Sequence, residues 1–273
     1  MFDQPSRAGT SKVVTSAKPM TPLGLEITAR LKEMFHGFSN RMERNQQATL
    51  GPSEIGTPCD RRIAMSLMRL PPVNPGGDNW ASFVGTMGHE GMSQMLEWAD
   101  AGSGRYASEL RMTSPSKRVP HGTTDLIDRV LLYVGDFKFM GQWSLDKLKT
   151  EGPSPTYRVQ AHTYAFMASL RGETVKHVAI LGMPRDKPNL DDMYVWTEPY
   201  NPQIARDALA RVDRIGESVD AHLATLYGKA ETNESESKVM TAAQFPIDAA
   251  DCRFCPFHKP NSSNLEWGCN GRN

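Results

Sequence analysis

A mixed α/β core is the fold class this sequence predicts, and three patterns predict it. Helical periodicity dominates residues 22–100, strand-like segments crowd into 105–142, and helix and strand then alternate up to residue 228. No internal repeat interrupts that order.

Residues 1–21, rich in Ser, Thr, Lys and Pro, read as a disordered tail. "TPLGLEITARLKEMFHGFSNRMERNQQ" is helical, with Leu25, Ile27, Leu31, Met34 and Phe35 near one stripe. "CDRRIAMSLMRL" is a short helix stopped by Pro71 and Pro72, and "LPPVNPGGD" is a loop. "WASFVGTMGHEGMSQMLEWAD" is a third helix despite Gly85, Gly88 and Gly91. Strands follow in "RYASELRM" and in both halves of "HGTTDLIDRVLLYVGDFKFMGQ". "SPTYRVQAHTYAFMASLRG" is a helix, "TVKHVAILGM" and "DDMYVWTE" are strands, and "NPQIARDALARVDRIGESVDAHLATLYG" is a long helix. Residues 229–248 read as a polar connector to a cysteine-bearing end. The domain expectation is therefore a tail (1–21) and one domain (22–273), with a helical region (22–102), a core (103–228) and a connector with the cysteine segment (229–273).

Composition bounds the partners. Charged residues make up 23% and hydrophobic residues 39%, and the formal net charge is zero. No global field draws the chain to nucleic acid, so an anionic partner must be held by local clusters. No apolar run approaches the roughly 18 residues of a membrane span, and the first residues lack the apolar stretch of a secretory signal. A cytoplasmic protein with no membrane partner is the expectation. In a reducing compartment Cys59, Cys252, Cys255 and Cys269 point to metal or cluster ligation rather than disulfides, and "CRFC" has a metal-site gap.

The charges in "HGTTDLIDRVLLYVGDFKFMGQ" carry the chemistry. Asp136 and Lys138 are two apart and share a strand face. A two-residue turn would make Asp125 and Asp136 diagonal neighbours, roughly 7–8 Å apart. A four-residue turn would set them directly opposite, roughly 4.5–5.5 Å apart. Either keeps both carboxylates and the lysine on one face. Hard oxygen ligands there suit Mg²⁺ or Mn²⁺, and a lysine supplies a point charge beside a phosphodiester. The plain alternative is a solvated salt-bridge trio.

"GTMGHEG", "GTTDLID", "VGDFK" and "QAHTY", in that order, resemble the PD-(D/E)XK nuclease superfamily, and within it the RecB-like branch. The resemblance implies a restriction-endonuclease-like core with a mixed central sheet flanked by helices. It implies catalytic roles for His89, Asp125, Asp136, Lys138, Gln160 and Tyr164, with His89, Asp125, Asp136 and Phe137 at the metal. Glu109 is a further acidic candidate on the preceding strand. Gln160 and Tyr164, four apart, share a helix face. Cys59 with the arginine pair after it, and Cys252, Cys255 and Cys269, resemble the four cysteines of the AddB-type and CRISPR-associated RecB-like exonucleases, which implies a [4Fe–4S] cluster. The thirteen residues between Cys255 and Cys269 depart from the short gap usual there, leaving zinc open, with His258 as a substitute ligand.

The activity so implied is metal-dependent exonucleolytic cleavage of DNA, on single-stranded ends and with possible 5′→3′ polarity, in recombination, repair or CRISPR-like processing, with phage recombination the leading setting. Recombination or CRISPR adaptation proteins are the implied partners. Arg61, Arg62, Lys117, Arg118, Lys147, Lys149 and Arg158 are local cations for a phosphate backbone, and Trp143 and Tyr157 are aromatics that could stack on bases. The alternative is a zinc-containing nucleic-acid-binding or recombination-complex protein on an inactive nuclease fold.

Overall fold

The computed structural model describes residues 19–39, 41, 49–74, 80–227, 233–250 and 252–272. Most of the expected tail, the end of the first expected helix, residues 75–78 of the expected loop and residues 229–232 of the connector lie outside the described residues. The chain divides into two compact units, Met1–Asn45 and Gln46–Asn273. The first holds α1 (Pro22–Ser39), whose opening turn is capped by the Thr21 hydroxyl accepting the Gly24 N–H at 3.1 Å.

The second unit runs α2 (Asp60–Leu67), α3 (Trp80–Asp100), β1 (Tyr106–Thr113), β2 (His121–Asp128), β3 (Tyr133–Met140), α4 (Gln142–Glu151), α5 (Pro155–Leu170), β4 (His177–Pro184), β5 (Tyr194–Pro199), α6 (Pro202–Tyr227) and α7 (Glu234–Ala243). Its five strands form one mixed sheet in the order β1-β2-β3-β4-β5, with only the β3–β4 pair parallel. This is the mixed sheet flanked by helices that the sequence predicts. A parallel pair needs a crossover, and α4 and α5 supply it between β3 and β4.

Burial explains the strand patterns. β4 is apolar almost throughout because it lies inside the sheet, whereas β5, at one edge, alternates half-buried and exposed residues. On one face Leu126, Phe137 and Met183 pack with Leu96 of α3. On the other, Ile127, Val134, Met140, Val178 and Ile180 pack with α4 and α5 through Leu145, Leu148, Ala161 and Ala165. A separate cluster joins α2 and α6 through Ile63, Met65, Leu209 and Val212, and reaches Phe257 and Cys269.

Two elements differ from the sequence reading. The 229–248 connector contains α7, started by a capping box in which Asn233 accepts the Glu236 N–H and Glu236 accepts the Asn233 N–H. Ser237, Thr241 and Ala242 are buried, and Thr241 meets His222 of α6 at 2.9 Å. Small polar residues hid that buried face from a hydropathy pattern. Gln142, at the end of the expected strand stretch, instead opens α4, which continues to Glu151 and seats Leu145 and Leu148 in the core.

Candidate active site

The β2–β3 turn takes the four-residue form, with Asp128 opposite Tyr133. Asp128 holds it: one carboxylate oxygen accepts the Val130 and Leu131 N–H groups at 2.8 and 2.9 Å, and Arg105 grips the same carboxylate. Arg105 and those N–H groups keep the Asp128 carboxyl below its usual range against the opposing effect of burial, the largest single influence on it. Pairing then runs through Leu126–Gly135 and stops, just before Asp125 and Asp136 would face each other. Instead, Asp125 Oδ2 accepts the Phe137 N–H at 2.7 Å. The β1–β2 ladder also skips the position joining Glu109 to Asp125, and Glu109 there is left-handed at φ 47°.

Lys138 reaches back along its strand face. Its Nζ lies 2.6 Å from Asp136 Oδ2 and donates to Gln160 Oε1 at 3.1 Å. Gln160 Nε2 donates to Asp136 Oδ1 at 3.0 Å and lies 3.2 Å from the Tyr164 hydroxyl. α5 sets Gln160 and Tyr164 on its buried side, where the four-residue spacing stacks them. The helix is started by Ser154, which accepts the Tyr157 N–H at 3.3 Å, and by Pro155 in its first turn. Gly56 packs under that turn so closely that a Cβ on it would fall 2.6 Å from Thr156 Cα.

Asp136 is 2% exposed, and burial pushes its carboxyl up to about 6, with Lys138 opposing and Asp125 adding to the rise. Its Oδ2 is buried with no donor aligned on it, despite the nearby ammonium.

α3 contributes from the other side. Gly88 abuts the Phe139 ring, where a Cβ would sit 2.5 Å from ring carbons, and this close approach seats His89. The His89 ring lies edge-on to Phe137 and Phe139, and its Nδ1 is 3.2 Å from Asp125 Oδ1. Ligand atoms of His89, Glu109 and Asp125 lie within 4.8 Å of one another. Phe137 turns its side chain into the core, so its carbonyl is what it can offer a metal. In a strand the N–H and C=O of one residue point to the same side. The Phe137 carbonyl is therefore directed, with its N–H, toward Asp125.

The structure thus brings together His89, Asp125, Asp136, Phe137, Lys138, Gln160 and Tyr164, and adds Glu109. His89, Glu109 and Asp125 offer an imidazole and two carboxylates that fit a hard divalent cation, with the Phe137 carbonyl on the Asp125 side and the buried Asp136 carboxylate next to Phe137 on β3. The contact of Lys138 with the Tyr157 ring, 4.7 Å to its centroid, is absent from the sequence reading, and only the spacing of Tyr157 from Gln160 along α5 hints at it.

All four cysteines line one open pocket, together with Thr57, Arg61, Arg62, Met65, Ile247, Asp248 and His258. Cys59 is the N-cap of α2 and accepts the Arg62 N–H at 3.4 Å. The long gap before Cys269 is looped out and closed at its base, where Cys269 N–H donates to the Phe257 carbonyl at 2.7 Å and Lys259 N–H to that of Cys269 at 2.8 Å. Burial, and then the neighbouring thiols Cys269, Cys255 and Cys59, push the Cys252 thiol up. Burial likewise raises Cys255, opposed by a backbone N–H and Arg62. Four thiols facing one pocket fit a soft metal centre.

Several expected phosphate contacts are engaged inside the protein. Arg61 is buried and donates to the Phe245, Ala243 and Arg272 carbonyls. Arg158 pairs with Glu198 at 2.5 Å and Arg118 with Asp220. Trp143 stays 75% exposed with the Lys147 ammonium 5.7 Å from its ring centre.

No protein-family model matches this sequence, and no curated protein does. Solved structures do. An alkaline exonuclease (LHK-Exo) from Laribacter hongkongensis is 14% identical, with a TM-score of 0.49 over 72% of this chain and 97% of that one. The same enzyme in complex with dAMP gives 12%, 0.39, 66% and 95%. The protein SSO0001 is 15% identical, with a TM-score of 0.42 over 85% of this chain and 94% of that one.

Proposed function

We propose that this protein is a Mg²⁺- or Mn²⁺-dependent deoxyribonuclease of the RecB-like branch, acting exonucleolytically on single-stranded DNA ends, with recombination, repair or CRISPR-like processing as its setting. The observation that carries the reading is Asp136. A carboxylate 2% exposed and raised to about 6 by burial, even with the Lys138 ammonium 2.6 Å from one of its oxygens, would gain further from a divalent cation beside it.

His89, Asp125, Asp136 and the Phe137 carbonyl would hold the cation, with Glu109 beside them. A bound divalent cation supplies a lowered water pKa and neutralises charge developing on phosphorus. The protein's own residues do the rest. Gln160 bridges Asp136 and Lys138, fixing the carboxylate and the ammonium relative to each other. Lys138 presents its charge to a phosphate oxygen or to the attacking water. His89, braced by Phe137 and Phe139, orients Asp125.

Cys59, Cys252, Cys255 and Cys269 would hold a [4Fe–4S] cluster. All four thiols line one pocket, and their placement, one before the core and three after it, resembles a four-cysteine cluster set, which favours the multinuclear centre over zinc.

The test is cleavage of end-labelled strands. Wild-type protein with Mn²⁺ degrades single-stranded DNA and loses activity in EDTA, whereas Asp136→Ala and Lys138→Ala are inactive. Equal activity in the variants would sink the assignment. Anaerobically purified protein is brown and contains iron, while a colourless protein with stoichiometric zinc would overturn the cluster.

A further inference from the structure

Lys138 has three neighbours, and only one of them is indifferent to a divalent cation. Its Nζ lies 2.6 Å from Asp136 Oδ2, donates to Gln160 Oε1 at 3.1 Å, and sits 4.7 Å from the centroid of the Tyr157 ring. The Asp136 oxygen that faces the ammonium is also the one without an aligned donor. A divalent cation and the lysine therefore make competing claims on it. An ammonium held chiefly by that carboxylate would lose its counter-charge when a cation binds. An aromatic face attracts an ammonium through its quadrupole, yet offers no lone pair that a hard divalent cation would take.

We propose that Tyr157 is the positioning residue for Lys138: its ring holds the ammonium in register with the phosphate site while Asp136 serves the cation. This rests on the nuclease reading. The ring is half-buried and stands on a well-anchored first turn of α5. The Tyr157 backbone N–H is taken by Ser154 at the start of α5, and the same turn is backed by Gly56. With one ring face taken up by the ammonium, the role is distinct from stacking on a base.

The test replaces Tyr157 by Phe, by Leu, and by phenylalanines carrying one, two and three ring fluorines, which keep the shape and weaken the negative face stepwise. Tyr157→Phe retains kcat within about twofold, and Tyr157→Leu lowers kcat about five- to thirtyfold with KM unchanged, the range a cation–π contact supports. The fluorine series falls in step. A flat fluorine series overturns the proposal even if Tyr157→Leu is impaired, because packing alone would then explain the loss.

A second readout needs no activity. Acetylation of Lys138 in DNA-free protein saturated with Mn²⁺, followed by mass spectrometry, is severalfold faster in Tyr157→Leu than in wild type and unchanged in Tyr157→Phe. A wild-type chain that leaves DNA intact with Mn²⁺ refutes the nuclease reading. An unchanged labelling rate in Tyr157→Leu refutes the role of the ring.

Discussion

Replacing Asp136 by Asn converts the site's most costly group into a neutral isostere, and the effect should depend on pH in a calculable way. The Asp136 carboxyl is raised from an ordinary 3.8 to about 6, chiefly by burial. The folded state therefore binds this proton more tightly than the unfolded chain does. Its stabilising contribution is complete below about pH 4 and is lost as pH rises through about 6. The shift corresponds to about 3 kcal/mol at 1.36 kcal/mol per pKa unit. Asn carries no such dependence, and its Oδ1 still accepts from Gln160. In EDTA, the stability of Asp136→Asn relative to wild type should improve by about 2–3 kcal/mol between pH 4 and pH 7.5. Urea unfolding at both pH values measures it, and saturating Mn²⁺ should stabilise wild type far more than the variant. A stability difference that stays constant across that range would refute the account of Asp136 as a buried, strained carboxylate.

Two further outcomes follow from the packing around the site. Gly56→Ala places a methyl 2.6 Å from Thr156 Cα and 2.9 Å from its carbonyl, so backbone must move. The expected loss is about 1–3 kcal/mol in thermal or urea unfolding, with reduced cleavage as the first turn of α5 shifts. Cys59→Ser removes one of four cavity thiols while keeping an N-cap oxygen for α2, so the visible absorption and iron content should fall while the far-UV CD spectrum is retained. Full iron occupancy in Cys59→Ala, which has no side-chain donor, would exclude Cys59 as a ligand.

Much of this was legible in residue order, and the exceptions have physical causes. The spacing of Asp136 and Lys138 put them on one face because strand periodicity is two, whatever the turn. The turn length itself was open, since "DRVL" lacks the Asn-Gly chemistry that selects a type. It was decided by Asp128, whose carboxylate caps two backbone N–H groups and is gripped by Arg105, a residue 23 positions away. α3 was recognisable end to end, but the reason for Gly88 is a ring brought against it from β3. α7 was hidden because its buried residues, Ser237, Thr241 and Ala242, are small or polar. Glu109 was visible as a carboxylate on a strand, whereas its left-handed backbone was not, because nothing local in "ASELRM" calls for one. Arg61 and Arg62 look alike in sequence, yet Arg61 is spent on three carbonyls of the C-terminal region.

The hydrogen bond from the Phe137 N–H to the Asp125 carboxylate also bears on how an inert version of this protein should be made. That carboxylate stands in for a strand partner and keeps β2 and β3 apart just where their pairing stops. Asp125→Ala would leave a buried N–H without its acceptor, at a cost of about 1–3 kcal/mol, or allow the two strands to zip one rung further and shut the gap. Loss of activity in that variant would mix a missing ligand with a rebuilt sheet. Lys138 spaces no strands, so a Lys138 variant leaves the β2–β3 gap in place, and what it disturbs is the buried Asp136, which loses its counter-charge and holds its proton more tightly.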